Sequence, residues 1–159
     1  MKIKIGDKMV DAEVTDYNEF DIAAYVESLP ASKQRYHKFK TVSLENDRFR
    51  KQVLIEALTS PDYKNSDILN MVIECIGFYT DYVYVGDDRV LLRTILMDTD
   101  YKTYSTLSQG IAKDICNLID NDLEPSEDYP TTWKVVQKRK GQWSFYVLQT
   151  VKGDNNAKT

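Results

Sequence analysis

Apolar and polar residues alternate with period two at the start of the chain, with Ile3 and Ile5, then Val10, Ala12 and Val14, placed around Gly6-Asp7. Successive side chains of a strand point to opposite faces, so this pattern predicts a short hairpin. The period then changes. Ile22, Tyr25, Val26 and Leu29 fall at i, i+3, i+4 and i+7, one face of a helix; Asp16 and Glu19 precede them at capping-box spacing and Pro30 stops the run. Residues 31–42 are polar and basic without a clean period and fit either a surface helix or an ordered connection. Ser43 can cap a second helix with Glu45 and Asp47 in its first turn and Val53, Leu54, Ile55 and Leu58 as its apolar residues, ending at Ser60-Pro61. Ser66 can cap a third, in which Ile68, Leu69, Met71, Val72, Ile73, Cys75, Ile76 and Phe78 point nearly all around the axis, as a helix buried in the core requires.

Tyr79–Val85 and Arg89–Met97 are rich in Tyr, Val, Leu and Ile on either side of Gly86-Asp87-Asp88 and predict a second hairpin, with a helix as the alternative for the second half. Between Tyr104 and Leu123 the apolar residues Leu107, Ile111, Ile115, Leu118 and Ile119 share a narrow arc, which predicts an amphipathic helix. The segment Glu124-Pro125-Ser126-Glu127-Asp128-Tyr129-Pro130 forbids its continuation and reads as an acidic loop. Trp133, Val135 and Gln137, then Trp143, Phe145, Val147, Gln149 and Val151, alternate about Gly141 and predict a terminal hairpin. Runs of helix and hairpin without strict alternation favour an α+β fold. Residues 1–152 read as one α+β domain and 153–159, with Ala157 as the one apolar residue, as a flexible tail.

Composition narrows the function classes. The longest apolar stretches are far short of the ~18 residues of a membrane span, and the N-terminus lacks the apolar region of a signal peptide, so a cytoplasmic protein is expected. Cys75 and Cys116 sit among Ile, Val and Leu on predicted helices, the setting of reduced, packed thiols. The glycines are scattered singly, which excludes a phosphate-cradling loop, and His37 with the two cysteines cannot supply a zinc site. His37, in a basic setting, is expected to face solvent. Asp98 and Asp100 could share a divalent metal but fit a turn better. No catalytic residue, cofactor or metal is therefore assigned.

Twenty-one basic against 25 acidic residues give a net charge of −4, which disfavours a general coating of nucleic acid. The charge is unevenly spread. Residues 33–51 hold Lys33, Arg35, Lys38, Arg48 and Arg50, a basic window that could bind nucleic acid with Tyr36 and Phe39 available for stacking. Residues 113–128 reverse the sign with Asp114, Asp120, Asp122, Glu124, Glu127 and Asp128, and could present carboxylates to a basic groove. Eleven tyrosines, Tyr104 and Tyr129 among them, are suited to interfaces. Exposed hairpin edges could also pair two copies into a homodimer.

A short acidic α+β chain with abundant tyrosine and no catalytic signature resembles the anti-CRISPR proteins that phages and mobile elements use to disable host enzymes, most of all along Asp114–Asp128. The resemblance implies a non-enzymatic protein that binds and inhibits a Cas9-type nuclease, with Asp114, Asp120, Asp122, Glu124, Glu127 and Asp128 in the contact and Tyr104 and Tyr129 as anchors. The alternative is a nucleic-acid-binding accessory protein that uses the basic window.

Overall fold

A 15-residue strand, β5 (Val72–Gly86), is the spine of the molecule. It pairs along most of its length with β6 (Arg89–Asp98), with a positive φ at Gly86, Asp87 and Asp88 turning the chain between them. Its first four residues pair on the other edge with β8 (Thr131–Lys140), and Tyr79 and Thr80 pair there with the two-residue β3 (Phe39–Lys40). β7 (Thr103–Thr106) lies beyond β6, the parallel pair β4 (Tyr63–Lys64) beyond that, and β9 (Trp143–Thr150) closes the far end against β8. The order β4-β7-β6-β5-β8-β9, with β3 beside β5, makes a curled mixed sheet. The computed structural model describes residues 2–5, 8–11, 20–41 and 48–151.

Helices cover both faces. On one, α4 (Gln109–Asp120) lays Ile111, Ile115 and Ile119 onto Ile73, Cys75 and Phe78 of β5, Leu92 and Leu96 of β6, and Trp133 and Val135 of β8. On the other, α3 (Arg48–Glu56) packs Leu54 with Ala57 against Ile76, Tyr79, Ile95 and Met97. α1 (Ile22–Glu27) and α2 (Ala31–Gln34) close the end of the β5–β6 hairpin, where Tyr25 and Leu29 meet Tyr82 and Val90. A single α+β unit results, as the sequence predicts. The N-terminal hairpin is also present as β1 (Lys2–Ile5) and β2 (Lys8–Asp11), antiparallel.

Three expectations change. The core helix expected from Ser66 is a single 3-10 turn (Asn65–Ile68) followed by β5. From Cys75 to Asp81 this central strand is buried from both sides, with α3 and α4 over it, and a strand covered on both faces loses the alternation that would have marked it; only Val72 and Glu74 before it face solvent. A register shift between Cys75 and Gly77 moves the strand from one alternation phase to the other. The helix expected over 104–123 begins only at Gln109, capped by Ser108, whose Oγ accepts the Ile111 N–H at 3.3 Å; Tyr104 belongs to β7. His37 is half-buried, not solvated: its Nδ1 accepts the Tyr82 N–H at 3.2 Å and its ring stacks on Tyr82. The caps foreseen at Asp16 and Ser43, the Gly6-Asp7 turn and the C-terminal tail lie outside the described residues. The cap seen on α1 is Asp21, accepting the Ala24 N–H at 3.0 Å.

Candidate functional site

The acidic segment is largely turned to internal use. Asp114 accepts the Leu148 N–H at 2.9 Å and so holds β9 to α4. Asp120 accepts the Tyr36 hydroxyl through both oxygens and pairs with Arg35 at 3.3 Å. Glu127 pairs with Arg50 and accepts the Tyr101 hydroxyl at 3.0 Å. Tyr104 is buried, stacked on Tyr63, and donates to Asp98 at 2.5 Å. Asp122 has φ 54° and ends α4 in the left-handed conformation, followed by the Leu123 N–H returning to the Leu118 carbonyl. Its side chain, with those of Glu124 and Asp128, makes no ion pair among the described residues, and Tyr129 is 80% exposed. The carboxylates do not converge into one array.

The basic window is divided as well. Lys33, Arg35 and Lys38 belong to the segment whose Tyr36 packs with α4, whereas Arg48 and Arg50 are on α3, across the sheet. Arg35 and Arg50 are both engaged by carboxylates. Burial pushes the Tyr36 hydroxyl up to about 12, reinforced by its bond to Asp120, so this group remains a donor. Burial likewise pushes Cys116 to about 11 and Cys75 to about 12; both thiols are free and protonated at neutral pH. Asp98 accepts the Asp100 and Lys102 N–H groups at 2.8 and 2.9 Å besides the Tyr104 hydroxyl, the turn role that left a metal role second. Among the described residues no group of three or more His, Cys, Asp or Glu is placed to hold a metal.

A cleft of about 770 Å³ lies between α1–α2 and α4. Lys33 and Lys113 contribute to its lining, as do Tyr25, Tyr36, Tyr82 and Leu92. The Tyr82 hydroxyl donates to the Lys33 carbonyl at 2.9 Å and the Tyr36 hydroxyl to Asp120, so both hydroxyls already have acceptors in the protein.

The other candidate is the outer half of the β8–β9 ribbon, which the basic-window reading passed over. Lys138 pairs directly with Phe145 and Lys140 with Trp143. Val135 and Leu148, also paired, face α4; alternation therefore puts Lys134, Lys138, Lys140 and Trp143 together on the opposite face, and Phe145 with them by register, although its ring also reaches Gly110 at the start of α4. Trp143 is 71% exposed and Phe145 39%, while the other tryptophan, Trp133, is buried. Trp143 thus stands in solvent beside two exposed lysines on a regular strand. Along the sequence the signal is Lys138-Arg139-Lys140 followed at even spacing by Trp143 and Phe145, a pattern that predicts the hairpin without marking either face as a site.

The ribbon is braced at its root. The Ser108 hydroxyl donates to the Tyr146 carbonyl at 3.2 Å, and Asp114 takes the Leu148 N–H, so α4 satisfies the outer edge of β9. Gly110 makes this approach possible: a Cβ there would lie 2.2 Å from the Tyr146 oxygen. The aromatic-lysine face is thus carried on a rigid element, with its tip beyond the reach of the helix. No helix among the described residues is long and apolar enough to cross a membrane. Comparison of the chain with protein-family models, with curated proteins and with solved structures finds no match.

Proposed function

We propose that this is a non-enzymatic cytoplasmic protein that binds single-stranded nucleic acid through the β8–β9 ribbon. The observation that carries the reading is the pair of cross-strand couples, Lys138 with Phe145 and Lys140 with Trp143, solvent-exposed on one face. Each couple joins a cation for a phosphate to an aromatic ring for a base, the two components of sequence-tolerant single-strand binding. Successive couples are two strand residues apart, about 6.8 Å. Stacked bases in a duplex rise by about 3.4 Å, so both rings suit bases that have left the duplex stack. The net charge of −4 is spread over the whole molecule, whereas Lys138, Arg139 and Lys140 stand exposed and consecutive at the ribbon tip.

Trp143→Ala should weaken binding of an oligothymidylate by about 1–3 kcal/mol, the worth of one stacked base. Removing Lys138 and Lys140 should flatten the dependence of log K on log salt by about 0.7 per lysine. Titration of wild type and variants against single- and double-stranded probes at several salt concentrations measures both; preference for duplex, or an unchanged slope, contradicts the reading.

The exposed Tyr129, next to Asp128, supports a second reading, stoichiometric inhibition of a host nuclease such as a Cas9-type enzyme by the loop after α4. Only Asp122, Glu124, Asp128 and Tyr129 remain for that contact. Copurification of a nuclease that is lost on Tyr129→Ala, with no oligonucleotide binding, would favour it over the ribbon.

A further inference from the structure

The face that carries Trp143 and Phe145 does not end with the ribbon. Lys134 is the next exposed lysine on it, paired with Gln149 on one side and with Val72 of β5 on the other, and Val72 is 58% exposed. Two residues further along, Thr132 pairs with Glu74, whose carbonyl accepts the Thr99 N–H at 3.2 Å. Thr99 opens the turn that carries Tyr101. Against Tyr101, edge-on with ring centroids 5.2 Å apart, stands Phe49 of α3, 59% exposed and next to the exposed Arg48. α3 packs on the sheet face that bears Ile76, the same side as Val72 and Glu74.

Phe49 is held more firmly than an incidental surface ring. Tyr101 supports it from the side, Glu127 accepts the Tyr101 hydroxyl, and the Arg50 guanidinium lies over the Tyr101 ring at 5.7 Å while pairing with Glu127. An apolar ring that is braced yet left in water is preorganised for a ligand. The track is also long enough for several nucleotides: Lys140 to Thr132 alone is about 27 Å of strand.

We infer that Phe49 is a second stacking station for the same strand, with Arg48 meeting its phosphates and Lys134 marking the path between the stations. This rests on the ribbon reading and adds a footprint to it: one polynucleotide crosses the sheet from Trp143 to Phe49. Glu74, exposed midway, places a like charge beneath the backbone and weakens the middle of the track.

The experiment is binding of oligothymidylates of about 4 and about 16 nucleotides, spanning the usual range for a single-strand groove, to the full chain and to Phe49→Ala, Phe49→Tyr, Glu74→Gln and Trp143→Ala. Phe49→Ala should weaken the long probe about tenfold and leave the short one unchanged; Phe49→Tyr should restore the long-probe affinity. Glu74→Gln should tighten the long probe alone. Trp143→Ala should weaken both. Equal effects of Phe49→Ala on the two lengths, or none on either, overturn the second station while the ribbon site stands. Failure of every probe to bind removes both.

Discussion

Asp81 and Arg93 face each other across β5 and β6, with contacts at 2.9 and 2.7 Å, and Arg93 also donates to the Leu58 carbonyl just past α3 at 3.2 Å. Tyr79 adds its hydroxyl to the same carboxylate at 3.2 Å. The pair ties α3 to the sheet. Asp81→Ala would strand a mostly buried guanidinium, and loss of one partner of a buried pair costs about 3–5 kcal/mol; some solvent reaches Arg93, so about 3 is expected, read as a lower urea midpoint. His37 makes the second statement at this scale. Burial lowers its pKa below 6.5, with Lys38 adding to the effect and Asp81 opposing it. Protonation would place a proton on the nitrogen that accepts the Tyr82 N–H. The contribution is complete above the unfolded value near 6.5 and is lost as pH falls from there through the lowered folded value. Urea midpoints should therefore fall between pH 7 and pH 5, and His37→Phe should reduce that fall. Neither partnership could be read in the sequence, because Asp81 and Arg93 meet only through the strand register and His37 meets a strand residue 45 positions away.

At the scale of elements, α4 and β9 form the joint on which the ribbon depends. Gly110 lets the helix backbone approach the Tyr146 carbonyl, and Phe145 sits beside it, 3.3 Å from where a Cβ would be. Gly110→Ala should cost about 1–3 kcal/mol by overpacking and, by displacing β9, also weaken oligonucleotide binding; thermal unfolding and titration on the same sample test the coupling. The hairpins at 79–97 and 133–151 were legible because one-sided burial or a tight turn leaves an alternating pattern. α4 was legible from its narrow apolar arc, although a serine cap, not the first aromatic residue, decides where it starts. β5 was hidden because its middle, Cys75–Asp81, is buried on both sides, and Ser66, read as a helix cap, lies inside a 3-10 turn whose cap position is Lys64. The exposed ribbon face was visible as an alternation but not as a site: the sequence alone does not tell which of the two faces the core takes.

For the whole molecule, charge sums are a poor guide to a surface. The runs at 33–51 and 113–128 have opposite signs along the chain, yet folding brings them together through Arg35 with Asp120 and Arg50 with Glu127. Their mutual neutralisation is largely structural stitching, and it leaves exposed ribbon lysines in a chain of net charge −4. β5 bears on how such a chain can change over evolutionary time. Its first four residues serve β8 and the rest serve β6 and β3, so one codon gained or lost between Val72 and Cys75 would turn Ile73 and Cys75 outward and bring Glu74 into the oily interior. Descendants of this gene can lengthen or shorten at the exposed turn 141–142, but the stretch that joins the two halves of the sheet must keep its count.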